Sequence, residues 1–439
     1  MDTEQLDEGL VRTTAGNGLT VLSELLPGVR SAAVGIWVRS ASAHEPPEVM
    51  GVAHLLEHLV FKGTERRTAR ELAQTLEVRG GSLDAYTSRD HTSYQAHVLD
   101  ADVPLAVEVL TDLVRHPLLR APDLELERNV VLEEINGVED TPDDLVFELH
   151  ARTLWPDHPY GYSILGTPET IGRLGAEDLA ATHRAGYYRG NCVIAAAGHV
   201  DHAQLLTVLE REGWFEGSLE PARAPVGAVP AQRGAVRSEL RDTTQSHIVL
   251  GTDTFPARDP RRYALAILTN LLGGGMSSRL FQRVREELGL AYAVYSFQQG
   301  YQSGGMTGVY VGTAPGTAAA AEDAIRDELA RLSREGLPAD ELASGQQQLK
   351  GQVMLSLESP SSRMHRLAGT VLHRDRYRRL DEILAEIDGV TAEAVAALAA
   401  EYFEPERWSV VRLGPDQGAR EPGSRGASGI AAPSGSLAP

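Results

Sequence analysis

Gly51 to Thr64 reads GVAHLLEHLVFKGT, and the spacing of three residues within it decides how the chain is read. His54, Glu57 and His58 stand at i, i+3 and i+4, positions that share one face of a helix. The residues around them, from Val52 to Phe61, are otherwise apolar, so the pattern predicts a helix buried on most of its circumference. Two imidazoles one turn apart in dry surroundings can chelate a divalent ion, zinc above all. A carboxylate beside them can take the proton from a water held at that ion.

Composition bounds the alternatives. The chain has 439 residues, room for about two to three domains with cores of their own. Its formal net charge of −20 argues against nucleic acid or an anionic membrane as partner. No apolar run approaches the roughly 20 residues needed to span a bilayer. The start, MDTEQLDEGLVRTT, is acidic and polar and does not read as a secretory signal. Cys192 is the single cysteine, so no intrachain disulfide framework exists and a reducing compartment fits. Within GNCVIAAAGHV it reads as a small core residue of a strand. The expected location is cytoplasmic.

Outward from the histidines, Asn17-Gly18 signals a turn before strand-like LTVLSEL, and SAAVGIWVRSAS reads as a buried strand. Thr68 to Val78 is a short amphipathic helix closed by Gly80-Gly81, and SLDAYTSRDHTSYQAHVL alternates like a hairpin. Helices are expected over Val103 to Val114, Asp123 to Val138 and Asp144 to Leu154. Residues 216–237 are rich in Pro, Gly and Ala without periodicity, the composition of a linker. Beyond it the plan repeats: strand HIVLGTDTF, helix Arg262 to Leu272, a Gly-rich loop, a helix over Arg279 to Leu288 and a β stretch over Leu290 to Val311. An Ala-rich helix over Thr317 to Arg331 follows, then a long helix from Ala339 past Glu358-Ser359-Pro360, which mirrors Asp140-Thr141-Pro142.

Self-similarity at half the chain length indicates an α+β protein of two tandem homologous domains, each a mainly antiparallel β-sheet packed with helices. The boundaries are 15–215 for a metal-binding domain, 216–237 for the linker, 238–413 for a second domain and 414–439 for a disordered tail. The second-half counterpart of the histidine helix, RYALAILTNLL, has neither His nor Glu, so only the first half can hold metal. LLGGGMSSRL lacks the Lys and Ser/Thr register of a phosphate loop, so nucleotide binding is not expected there.

In LELERNVVLEEINGVED, Glu127 and Glu134 are seven apart, two turns along one helix face, while Glu133 points about 100° away. H-x-x-E-H followed by E-x6-E resembles the insulinase/pitrilysin family of zinc peptidases, the inverzincins, and most of all its bacterial branch, which is similar to the mitochondrial processing peptidase. The similarity runs from about Gly18 to Leu413, with Leu55 where the family favours Phe. It implies that His54, His58 and Glu134 bind one Zn2+ per chain, that Glu57 is the general base, and that Glu127 orients a histidine ligand. GGSLDAYTSRDHTSY resembles the family's edge strand, onto which peptide is laid; Asp84, Ala85 and Tyr86 are the implied substrate contacts, Asp84 standing where Asn is commoner. RLFQRVREELGLAYAVYS resembles the segment whose Arg and Tyr reach the substrate, here Arg285 and Tyr292.

The resemblance implies an endopeptidase acting on peptides or unfolded segments inside a chamber of four such domains, hence a homodimer. Two further readings stay beside it: a non-catalytic or partner-dependent subunit of a processing-peptidase-like complex, and a metal hydrolase of non-peptide bonds.

Overall fold

The computed structural model describes residues 1–415, so the tail expected over 414–439 lies, from residue 416 on, outside the described residues. The first half holds seven strands: β1 (Asp2–Asp7), β2 (Leu10–Thr14), β3 (Thr20–Leu25), β4 (Ser31–Val38), β5 (Ser82–Thr87), β6 (Thr92–Leu99) and β7 (Cys192–Gly198). Its helices are α1 (Val52–Val60), α2 (Ala69–Glu77), α3 (Val103–Arg115), α4 (Ala121–Glu139), α5 (Pro142–Leu154), α6 (Pro168–Arg173), α7 (Ala176–Gly186) and α8 (His202–Arg211). The second half holds β8 (Val236–Leu240), β9 (Ser246–Thr254), β10 (Ala291–Gly300), β11 (Gly305–Thr313) and β12 (Ser409–Gly414). With them come α9 (Arg262–Gly273), α10 (Ala318–Glu335), α11 (Ala339–Ser356), α12 (Pro360–Leu372), α13 (Leu380–Asp388) and α14 (Ala392–Tyr402).

The sheets run β1-β2-β3-β7-β4-β6-β5 and β10-β11-β9-β12-β8. Set aside the β1–β2 hairpin and the two share one plan. β3-β7-β4-β6-β5 matches β8-β12-β9-β11-β10 strand for strand, the first pair parallel and every other pair antiparallel. The chain is therefore α+β with two tandem homologous units.

Each half also covers the other's sheet. On the inner face of the first sheet, Val34, Ile36, Tyr94 and Ile194 pack with α1 and α3. On its outer face, Ala33, Trp37, Val193 and Ala195 pack against Met364, Leu367, Ala368 and Leu372 of α12, a helix of the second half. Conversely, Leu145 and Val146 of α5 lie against Val249, Tyr310, Val411 and Leu413 of the second sheet. This exchange explains why SAAVGIWV is apolar at successive positions: a strand buried on both faces has no solvent side to mark with polar residues.

Two expectations are corrected. The helix expected from Ala339 through Pro360 is two helices, because Pro360 has no N–H to continue the ladder; α12 starts afresh there, with the Ser362 N–H donating to Ser359 Oγ at 3.4 Å. The α-helix expected over Arg279 to Leu288 is a π-helical segment, Phe281–Glu287. The acidic start forms the β1–β2 hairpin, which extends the first sheet beyond β3. Between α8 and β8 the chain has no regular strand or helix, and it is tied to both halves. Arg223 N–H donates to Asn191 Oδ1 at 2.9 Å, and Ser303 Oγ donates to the Val226 carbonyl at 2.7 Å. Among the described residues no helix is long and apolar enough to cross a membrane.

Leu367 is 0 % exposed in the α12 seam. Leu367→Ala is expected to cost about 2–5 kcal/mol in urea unfolding followed by tryptophan fluorescence, with both halves still unfolding together. Destabilisation confined to one half would contradict the shared packing.

Candidate metal centre

α1 has no side-chain cap from its own first residues; Gly51 precedes it at φ +90°. Glu45 supplies the cap from the preceding loop, its carboxylate accepting the Gly51 and Ala53 N–H groups at 2.7 Å each. That satisfies two otherwise orphaned donors, while burial pushes the Glu45 carboxyl up to about 8 against the pull of those two hydrogen bonds. A Cβ at Gly51 would sit 2.6 Å from the Leu165 carbonyl oxygen, so the helix start is pressed backbone to backbone against the next loop. Of the residues of α1, only His54, Glu57 and His58 escape full burial.

Those three face α4 and the end of β5. His54 Nε2 lies 3.6 Å from Glu134 Oε2, and His58 Nε2 lies 3.6 Å from Glu134 Oε1. The imidazole centroids are 4.7 Å apart. Glu133, one residue from Glu134, is exposed to solvent. Two turns back, Glu127 is buried between His58 Nδ1 at 3.0 Å and Lys62 Nζ at 2.5 Å. A carboxylate at Nδ1 selects the tautomer that donates there, leaving the Nε2 lone pair aimed at Glu134. Burial, followed by the neighbouring His58, pushes His54 down to about 4, so it is neutral at ordinary pH.

At 3.6 Å the Nε2 atoms and the Glu134 oxygens are too far apart to be hydrogen-bonded to one another, yet they converge on one point. One ligand atom from each of His54, His58 and Glu134 lies within 4.8 Å of the others, the only such group among the described residues. Two ligands held about 2.0–2.2 Å from a tetrahedral ion stand roughly 3.3–3.6 Å apart, so the observed spacing fits zinc. A tetrahedral ion held by these three atoms would keep a fourth position for solvent or substrate.

Glu57 points to the side of this group. Its Oε2 accepts the Thr87 hydroxyl proton at 2.6 Å. Burial, the largest influence, raises the Glu57 carboxyl above its ordinary value, against the pull of the Thr87 hydrogen bond and His58. Thr87 ends β5, which pairs only with β6 and so presents a free sheet edge. On β5, Asp84 accepts the Ala85 N–H at 3.0 Å, Ala85 is half-buried, and the Tyr86 ring stacks on His365 of α12 at 6.3 Å. Arg285 and Tyr292 meet each other, the guanidinium 4.7 Å from the ring centroid and donating to the Tyr292 carbonyl at 3.2 Å. Neither forms a hydrogen bond or ion pair with the histidine group among the described residues, and Tyr292 is 77 % exposed.

Residues 20–168 match the family described as Insulinase (Peptidase family M16), and residues 173–349 match Peptidase M16 inactive domain. A Streptomyces coelicolor protein named as an uncharacterized zinc protease is 39 % identical over 410 residues, 92 % of this chain and 89 % of its own. A Bacillus subtilis protein of the same description is 38 % identical over 393 residues, 89 % of this chain and 95 % of its own. The chain belongs to the M16 insulinase family. Two solved structures share the fold at TM-scores of 0.87. One is described as a peptidase M16 inactive domain from Pseudomonas fluorescens, 21 % identical and covering 94 % of this chain and 100 % of that one. The other is a protease from Helicobacter pylori, 23 % identical, covering 92 % and 99 %.

Three neighbours of the site escaped the sequence reading: Glu45, Lys62 and Thr87. Lys62 had a local signal, four residues beyond His58; Glu45 arrives from a loop and Thr87 from the end of β5, placements that only the tertiary structure reveals. In this M16 chain the Glu127 carboxylate ties α4 to α1 through His58 and Lys62. Glu127→Gln is expected to weaken metal binding by about 10–100-fold in competition with a chelator. An unchanged affinity would mean that Glu127 does not orient His58 toward an ion.

Proposed function

We propose that the chain is a zinc-dependent endopeptidase that hydrolyses peptides or unfolded polypeptide segments. The observation carrying this reading is the convergence of His54, His58 and Glu134, with Glu57 on the same face of α1. When bound, zinc would supply a Lewis acid for the scissile carbonyl and lower the pKa of the attacking water toward ~7. Glu57 takes the proton from that water and returns it to the leaving amine; a carboxyl raised by burial is suited to both steps. Glu127 holds the His58 ring in its tautomer. Thr87 fixes one oxygen of Glu57 and leaves the other for proton transfer.

The free edge of β5 offers backbone donors and acceptors to an extended peptide at Asp84, Ala85 and Tyr86, which is binding with little demand on sequence. Because Thr87 terminates that strand, laying substrate along β5 also braces the base. Arg285 and Tyr292 are assigned to the substrate carbonyl of a neighbouring copy, since their own chain does not direct them to its histidines. Hence we propose a homodimer enclosing the chamber. Pairing with a homologous non-catalytic chain is the second reading, favoured by the same separation.

A quenched-peptide library assay with light scattering on the same samples tests both. The expected result is cleavage by a dimer with zinc bound, and for Glu57→Gln a loss of at least about 100-fold in kcat/KM at unchanged zinc content. Cleavage surviving that substitution sinks the role of Glu57, and a monomer needing a second chain sinks the homodimer. For Thr87→Val, kcat is expected to fall about tenfold with KM held, and Thr87→Ser to recover most of it. Equal losses in both variants would reduce Thr87 to packing.

A further inference from the structure

At the seam between the halves, away from the histidine group, lies a cleft of about 330 Å3. Its wall is built from the connecting segment (Pro225 to Ala228), Arg258, the β10–β11 turn at Gln302 and Ser303, and His373 and Arg374 just after α12. The charge around it is unusual for a chain of net −20. Arg374 donates to the Arg223 carbonyl at 2.9 Å. Arg223 in turn donates to Ser40 Oγ at 3.1 Å and to the His44 carbonyl. Arg39, 7 % exposed, reaches only the Val371 carbonyl at 3.5 Å, and its buried Nε has no partner. Arg258 is exposed at the rim.

Among the described residues none of these four guanidiniums is ion-paired with a carboxylate. The acids nearby are engaged elsewhere. Asp375 pairs with Arg262 and Arg378, and Asp259 with Arg261. Asp90 accepts the Tyr160 hydroxyl at 2.7 Å and the Gln302 N–H at 2.8 Å. A buried guanidinium without a counter-ion is costly, and here burial and the charge of Arg374 both act against the protonated form of Arg39.

Two further features belong to the residues that line the cleft. His373 Nδ1 is buried without a hydrogen-bond partner. Arg374 holds φ +55°, the left-handed position that ends α12, where its N–H donates to Val371 and that of Asp375 to Thr370. Glycine ordinarily takes that position at no steric cost, and an arginine there keeps a cation at the wall at the expense of backbone strain.

We propose that this cleft binds a phosphate-type oxyanion, free or as the phosphoryl group of a larger ligand. Guanidinium forks match tetrahedral oxyanions, and several uncompensated cations favour a multivalent anion over a single carboxylate. The occupant touches the connecting segment, the end of the exchanged α12 and the β10–β11 turn at once. Through Gln302 and Asp90 it also braces the β5–β6 turn that follows Thr87. It therefore stiffens the seam beside the strand assigned to substrate.

The test uses the full, metal-loaded chain, with melting temperature and calorimetric titration against inorganic phosphate and tripolyphosphate, and sodium chloride and acetate at matched ionic strength as controls. Phosphate and tripolyphosphate are expected to raise the melting temperature where chloride and acetate do not. Arg258→Gln and Arg374→Gly are each expected to weaken the affinity by about tenfold or more. Because glycine fits φ +55°, Arg374→Gly keeps or raises the melting temperature in chloride, so lost binding there is not lost folding. The proposal is overturned if the wild type gains nothing from phosphate beyond the controls. It is equally overturned if the gain persists in the two variants, which would place the anion elsewhere, on the metal included.

Discussion

The carboxylate of Glu127, sunk between an imidazole and an ammonium, is the contact on which the site depends. A buried acid without partners is costly; with Lys62 on one oxygen and His58 on the other this one pins α4 to α1. That pin sets the height of Glu134, two turns further along α4, relative to both rings. Glu45 does the corresponding work at the start of α1 by gathering its first N–H groups. Neither residue faces the open position, yet together they decide where the converging atoms stand.

Much of this could be read from sequence because it is written in helical periodicity. His54, Glu57 and His58 share a face by arithmetic alone, and the same arithmetic separates Glu134 from solvent-facing Glu133. The duplication was legible as a repeated order of strands and helices. What periodicity does not encode is address. The stripe of Met364, Leu367 and Leu372 announces a buried face without saying which sheet it covers, and it covers the other half's. The double-sided apolarity of Ser31–Val38, shared by Cys192–Gly198, was the hint that a second layer existed. Thr87 carried no hint, since a threonine at the end of a hairpin strand has many uses and only the docking of β5 on α1 gives it this one. β12, which pairs with β9 and β8 far back along the chain, was not read from the sequence.

Differences between the halves are as informative as their agreement. α9 lies where α1 does in the shared plan, yet RYALAILTNLLG presents no ligand, so one half kept the chemistry and the other the architecture. The counterpart of β5 is β10, also at a sheet edge, and it carries Tyr292 beside Arg285. Equivalent edges of one duplicated sheet thus hold different equipment, a threonine bonded to Glu57 on one side, a cation and a phenol on the other.

The exchange of α5 and α12 has an evolutionary reading. Once each copy of a duplicated unit finishes its twin's sheet, neither can be lost, shuffled or diverge freely, because its departure strips an apolar face on the survivor. The ancestral unit, standing alone, would have met the same need by pairing with an identical copy. Fusion of two such genes would preserve the handshake inside a single polypeptide while freeing one copy from the demands of metal binding.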